Sequence, residues 1–536
     1  MIKQIEKYPV LSLLLFVITM LGFTIDAIPV SIMEARNFIS AREMLTDNHW
    51  ILTTMNGDAR YEKPPLPTWI TAGFGYLFGM GSVLALRWPA LLFLASIGIS
   101  IYYLSKALEL PKAHSLINGF IALTSFYIIG ITIEATWDIY THGFMLMALV
   151  QLFFLFKKGK TPLIRSLLFV VFIAASVLSK GPVSLYVLFL PFVIAYGIAF
   201  KFKGNLLHFL KLISLLVFGI TLGSWWYLYV RTADPATFMA IAERETSNWH
   251  SYNVRPFYYY WSFFVQSGIW TVPALISLCY PYLKTRVTNL KAYRFSLLWT
   301  LIAVILLSLI PEKKSRYLMP VLIPLAINIG FYVNYIIREF KNLSAKKETF
   351  PVYFQFGLIG LIALFFWCIG FSLGPFLTGV VLLRFILISA VLLLIGFLIF
   401  KTLKHKNIKA TFYLTLSFML SIGFLALPFA QLQGQPSYLP LSQLSNDTIP
   451  LYSLGSVSPE AIYNYGEKIP SLKTEEGLMI PSEKTFRVLT SSLNPEAFKE
   501  LNSLFTIEFK DSYDLNFSSN NHRARLVNHM YLLTRK

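Results

Sequence analysis

The chain has 536 residues, of which 56% are hydrophobic, 16% aromatic and only 14% charged. That balance excludes an ordinary soluble enzyme, whose charged share is about 25%, and makes lipid the natural solvent. The formal charge of +19 would suit a nucleic-acid binder, but the Lys and Arg residues sit mostly in loops between apolar blocks, where membrane insertion accounts for them; no nucleic-acid partner is expected.

After a basic start over 1–7, the apolar block 8–28 is too long for a signal-peptide core and is followed by no small-residue cleavage site. It reads as an anchored first helix with the N-terminus in the cytoplasm. Residues 32–45 have helical spacing, with Ile32, Ala35, Ile39 and Leu45 apolar, which predicts an amphipathic interfacial helix carrying Glu34 and Arg36. The segment 66–80 is rich in Gly and short for a span. Further blocks lie at 83–106, 115–134, 137–156, 166–179, 182–200, 208–230, 258–283, 295–311, 317–337, 352–374, 379–400 and 410–430. At 1.5 Å of rise per residue these match a hydrocarbon core of roughly 30 Å and give about thirteen spanning helices.

Charge decides the segment 66–80. If it does not cross, the Lys- and Arg-rich loops 106–114, 157–165, 201–211, 284–294, 338–347 and 401–409 all fall on the cytoplasmic side; if it crosses, all of them fall on the wrong one. It is therefore read as an interfacial or re-entrant helix. The outward face then receives 29–65, the connection before Asp138, the turn at Lys180, 232–256, 312–316 and everything after about 428.

From 433 the chain turns polar, with β-like runs at 450–454, 485–490 and 505–509 and helical runs at 459–465 and 494–504. The expected architecture is an all-α polytopic body over 1–430, with a first outward loop at 29–82, and a small C-terminal α/β domain over 431–536 outside the cytoplasm. Cys279 and Cys368 lie in apolar spans and form neither a metal-ligand spacing nor an obvious disulfide pair.

The first outward loop concentrates Met33-Glu34-Ala35-Arg36, Ala41-Arg42-Glu43-Met44, Trp50, Asn56-Gly57 and Tyr61-Glu62-Lys63-Pro64-Pro65-Leu66. In this order and spacing the loop resembles that of the aminoarabinose transferases and related protein mannosyltransferases, membrane glycosyltransferases of the GT-C superfamily. The resemblance implies a polyprenyl-phosphate sugar as donor and a lipid, glycan or protein of the envelope as acceptor. It also implies a bacterial inner-membrane location, with the site on the outer face. Where that family usually has the aspartate of an Asp-Glu pair, this chain has Met33. The base could then be Glu34, Asp138 or Asp26, or the activity could be lost; Glu34 and Asp138 are the preferred candidates.

Asp138 enters an apolar helix, where an ionisable group carries a substantial insertion cost and is functional by default; its structural alternative is a helix N-terminal charge. Basic residues answer from several loops. Arg36, Lys63, Arg255, Lys313, Lys314 and Arg316 are assigned to the donor phosphate, because three cations in one short outer loop break the positive-inside pattern unless they meet an anion. Tyr61, Glu62, His142, Lys180, His250 and Tyr317 are assigned to substrate binding. No Asp-x-Asp or His-x-x-x-His pattern appears on these loops, so no metal or other cofactor is assigned. The rival reading is a transporter or flippase, which predicts inverted repeats and paired charges near the midplane.

Overall fold

A computed structural model of the chain describes residues 2–434, 438–444, 448–474, 477–491, 495–517 and 522–536. These divide into two compact units. The first comprises Met1–Ile25, Glu62–Pro67 and Arg87–Pro428, and the second Asp26–Tyr61, Thr68–Leu86 and Phe429–Lys536.

Among the described residues, ten helices are long and apolar enough to cross a membrane, and the protein is an integral membrane protein. The thirteen apolar blocks do not all become continuous helices. The block 115–134 is a pair, Lys112–Leu123 and Phe126–Ile133, bent by 53°. The block 182–200 yields the shorter apolar helix Leu185–Ala199. The block 258–283 breaks into Phe257–Tyr260, Phe263–Trp270, Thr271–Ser277 and Tyr280–Leu283. Gly268 makes that break with φ +65, a conformation only glycine adopts freely, and a Cβ there would lie 2.5 Å from Phe126 Cβ. The helix Leu66–Phe78 has 13 residues, about 20 Å of rise, too short for the hydrocarbon core.

Within the first unit, Trp137–Lys158 and Leu163–Lys180 are joined by the short connection 159–162 and pack side by side. Gly159, in the left-handed conformation, ends the first helix. A pair connected this closely must run antiparallel, so the start of one helix and the end of the other share one face of the membrane. Leu206–Ala233 joins them through Gly219 and Gly223, whose Cα atoms approach the neighbour closely; a Cβ on Gly223 would come within 2.5 Å of the Ala174 carbonyl. This is the small-xxx-small spacing by which helices associate in lipid, where apolar burial offers little. Polar contacts add to it: Ser176 Oγ donates to the Thr141 carbonyl at 2.8 Å, and Asn328 Nδ2 to the Ser277 carbonyl at 2.8 Å.

In the second unit, the chain after the first span forms the helix Ile32–Thr46, then a hairpin of Thr54–Met55 and Asp58–Ala59. Asn56 and Gly57 turn the hairpin at φ 60 and φ 86, the conformations that an Asn-Gly turn favours. The C-terminal part carries a four-stranded sheet. Leu451–Ser453 pairs in parallel with Thr485–Thr490, and Val527–Arg535 lies antiparallel between Thr485–Thr490 and Phe505–Asp514. Helices Pro459–Tyr465 and Pro495–Leu504 accompany the sheet; position 494, where the second was expected to begin, lies outside the described residues. Ile39 of the loop helix shares a core with Leu451, Ile462 and Leu489, and Phe38 meets Tyr463 at 5.5 Å between ring centroids. The loop helix and the C-terminal sheet therefore fold as one body, across the boundary drawn at 430 from hydropathy.

Candidate functional site

Asp138 lies in the first turn of Trp137–Lys158, after the N-cap Thr136, and is 2% exposed. Lys180 ends Leu163–Lys180, where Gly181 at φ +74 turns the chain away. Because the two helices are antiparallel, these ends meet: Lys180 Nζ is 2.5 Å from Asp138 Oδ1. An anion at a helix start and a cation at a helix end are each favoured by the local backbone dipoles. One turn further, His142 Nε2 is 3.8 Å from the same oxygen, beyond hydrogen-bond range. Its Nδ1 is buried without a hydrogen-bond partner among the described residues.

Arg316 and Tyr317, at the end of the basic run, act on this pair. The Tyr317 ring gathers three cations, with Lys180 Nζ at 5.2 Å, Lys314 Nζ at 5.7 Å and Arg316 Cζ at 5.9 Å from its centre, distances at which an aromatic face attracts positive charge. Arg316 acts electrostatically on both Asp138 and Lys180, and its Nε is buried with no hydrogen-bond partner among the described residues. Lys314 is 2.5 Å from Glu312; burial disfavours its charge, but the hydrogen bond and charge of Glu312 prevail and raise its pKa. Lys313 instead donates to the Ile310 carbonyl at 2.5 Å, and burial lowers its pKa. Lys313 is thus committed to its own backbone rather than to an anion.

Lys63 lies within the electrostatic field of Lys180 and pairs with Glu245 at 3.5 Å. Its neighbour Glu62 pairs with Arg244 at 2.6 Å. The dipeptide 62–63 thus faces its charge complement on the helix Pro235–Ser251, which the sequence reading did not pick out. Arg255 is exposed, and its backbone N–H donates to the Pro311 carbonyl, so only its main chain is tied to the 310–314 loop. His250 lies on the same helix as Arg244, with its side chain outside the described residues.

Glu34, Arg36 and Tyr61 belong to the other unit. Glu34 is 1% exposed and sits at the third position of Ile32–Thr46. There its Oε2 accepts the Ser31 N–H at 2.9 Å while Ser31 Oγ accepts the Glu34 N–H at 3.4 Å, a reciprocal capping box. The signal was present as Ser31-x-x-Glu34. Arg36 is half-buried, and its carbonyl accepts from Arg60 at 3.2 Å; Tyr61 is buried.

Glu43 is the hub of this unit. It accepts from Thr54 Oγ1 at 2.5 Å, the Asn56 N–H at 2.6 Å and the Gly57 N–H at 3.3 Å. Asn56 in turn pairs its side chain with both backbone groups of Ile469, at 2.8 and 2.7 Å. Glu43, Asp47 and His49 come within 4.8 Å of one another as a metal site would. Both Glu43 oxygens, Asp47 Oδ2 and His49 Nδ1, however, are engaged by Thr54, Asn56, Gly57 and Lys468. That pattern fits a hydrogen-bonded brace.

With this geometry in hand, the comparisons place the fold. The family model for dolichyl-phosphate-mannose-protein mannosyltransferase matches residues 62–225, the stretch that holds Lys63, Asp138 and Lys180. The crystal structure of ArnT from Cupriavidus metallidurans bound to undecaprenyl phosphate superposes with a TM-score of 0.67, covering 98% of this chain and 97% of that one at 14% identity. The chain therefore shares the fold of that ArnT over nearly its whole length. The apo form of the same ArnT gives the same TM-score over 97% of this chain and 96% of that one, again at 14% identity.

In sequence, the undecaprenyl phosphate-alpha-4-amino-4-deoxy-L-arabinose arabinosyl transferase of Edwardsiella ictaluri is 24% identical over 62% of this chain and 60% of its own length. An uncharacterized protein of Aquifex aeolicus is 25% identical over 57% and 60%. The chain thus spans about three fifths of the length of the curated relatives it matches.

Proposed function

We propose that this protein is a membrane glycosyltransferase that moves a monosaccharide from a polyprenyl-phosphate donor to an envelope acceptor, a lipid, glycan or protein. The reaction takes place at the outer face of the inner membrane, where the C-terminal domain also lies. The observation that carries this reading is the buried Asp138–Lys180 pair, with Arg316 beside it holding an unengaged donor. A carboxylate and a set of cations at one end of the bundle are what displacement of a phosphate from a sugar needs. Charges gathered at one end do not favour a transport route through the midplane.

In the proposed step, Asp138 takes the proton from an acceptor hydroxyl or amine. The freed electron pair forms the new bond to the anomeric carbon, and the bond from that carbon to the phosphate oxygen breaks. Attack opposite the leaving group inverts the carbon. The polyprenyl phosphate leaves with one more negative charge, which Arg316 and Lys63 stabilise. Lys180 orients the Asp138 carboxylate, and His142 lines the same wall. Glu34 is assigned to the helix cap rather than to the base, so Met33 at the neighbouring position does not remove the acid–base group. No divalent ion is invoked in this step.

The test is mass spectrometry of lipid A and extracted surface glycans from cells carrying the native gene, a deletion, or Asp138→Asn. Loss of one monosaccharide mass in both the deletion and the variant supports the transferase and identifies sugar and acceptor together. An unchanged glycan profile, with the protein made and inserted, would sink it.

A further inference from the structure

The end of the bundle away from Asp138 holds a cavity that this reaction does not use. It has a volume of about 570 Å³ and is lined by Glu109, Leu110, Pro111, Asn289, Lys291 and Arg294, among others. Its position follows from one helix. Asp138 is in the first turn of Trp137–Lys158, and Lys157 in the last turn bonds to Glu109 Oε1 at 2.7 Å and to the Ala107 carbonyl at 2.9 Å. The nineteen residue steps from Asp138 to Lys157 rise roughly 28 Å, nearly the full hydrocarbon thickness. Cavity and acid site therefore lie on opposite faces of the membrane.

Three features define what the cavity would take. It sits where Val83–Ala107 ends and Leu290–Leu309 begins, both helices apolar and long enough to span, which is the level of lipid headgroups. Its acidic member Glu109 is already matched by Lys157, while Lys291 and Arg294 are exposed and engaged in no ion pair among the described residues. These two lie three positions apart on one helix and so share a face. The exposed Pro111 and Leu290 supply an apolar side. The cavity thus has two uncompensated positive charges beside an apolar wall, at the depth where a headgroup phosphate meets its glycerol and acyl chains.

We infer that this cavity is a binding site for the phosphodiester headgroup of an anionic membrane lipid in the leaflet opposite the reaction site. Lys291 and Arg294 hold the phosphate, and Pro111 and Leu290 meet the apolar stem.

The experiment uses the full-length protein in nanodiscs of equal parts phosphatidylglycerol and phosphatidylcholine, followed by native mass spectrometry of the lipid that stays bound. Retention of phosphatidylglycerol over phosphatidylcholine is expected at on the order of tenfold, the discrimination that two basic side chains at a headgroup provide. The Lys291→Gln/Arg294→Gln double variant should retain the two lipids about equally. It should also keep the sugar-transfer rate and the melting temperature of the native protein in phosphatidylcholine alone, which separates this site from the reaction site. Equal retention by the native protein, or a preference that survives in the folded double variant, overturns the assignment. Inorganic phosphate at millimolar concentration that abolishes the preference would also overturn it, in favour of a site for a soluble anion.

Discussion

The two units treat their carboxylates in opposite ways. In the loop-and-sheet unit, Glu34 and Glu43 accept from backbone N–H groups, and Glu43 also from a hydroxyl. Each holds the local fold in place. In the bundle, Asp138 faces an ammonium, an imidazole and the field of a guanidinium. Density of motifs marked the first region, but the backbone N–H bonds to Glu34 and Glu43 tie those carboxylates to the local fold. One set among side-chain cations in a buried site can exchange partners with a substrate.

Substitutions sharpen this contrast, beginning with the largest expected effect. Asp138→Asn keeps the volume but removes the base, and turnover of radiolabelled lipid-linked sugar should fall by about 10²- to 10⁴-fold with the protein still inserted. If turnover persists, the active carboxylate is elsewhere. Glu43→Ala leaves three donors without their acceptor, so the loop unit should lose about 2–4 kcal/mol of stability, seen as faster proteolysis of purified protein within 43–60. Asn56→Ala breaks the paired bonds to Ile469 and should cost about 1–2 kcal/mol by the same assay.

Lys314 offers a pH test. Its folded pKa is raised above that of the unfolded chain, so its pairing with Glu312 contributes fully below the ordinary lysine range and is lost as pH rises through the folded value. A melting curve of the native protein should therefore gain an alkaline decline that Lys314→Met lacks. Smallest of all, Glu34→Gln retains an oxygen for the Ser31 N–H and should change turnover by less than about threefold, a few tenths of a kcal/mol. A loss as large as that of Asp138→Asn would return the base to Glu34.

Much of the bundle was legible because lipid imposes its demand residue by residue along the chain, so a run of apolar side chains is close to sufficient evidence for a span. The block 258–283 shows the limit of that inference. It is apolar enough, yet Gly268, Pro273 and Pro281 divide it into short helical pieces. The strand Val527–Arg535, which lies inside the sheet, was not among the β-like runs, because Asn528, His529 and Arg535 interrupt its apolar alternation. At the site, Asp138 stood out by its position in an apolar helix. The pairing of Glu62 and Lys63 with Arg244 and Glu245 spans some 180 residues, and nothing in local spacing announces it. The role of Glu34 was readable from Ser31-x-x-Glu34, a capping signature that looks like a catalytic carboxylate when its neighbour three residues back is not considered.

The bonds between Asn56 and Ile469 join positions 413 residues apart. During synthesis at about 5–20 residues per second, the loop must wait roughly 20–80 s for its partner to be made. Throughout that interval the helix Ile32–Thr46 has its own cap but not the core that Leu451, Ile462 and Leu489 supply. Biogenesis of this protein therefore contains a built-in period of exposure, and a chain cut short before Ile469 would leave its N-terminal loop permanently in that unguarded state.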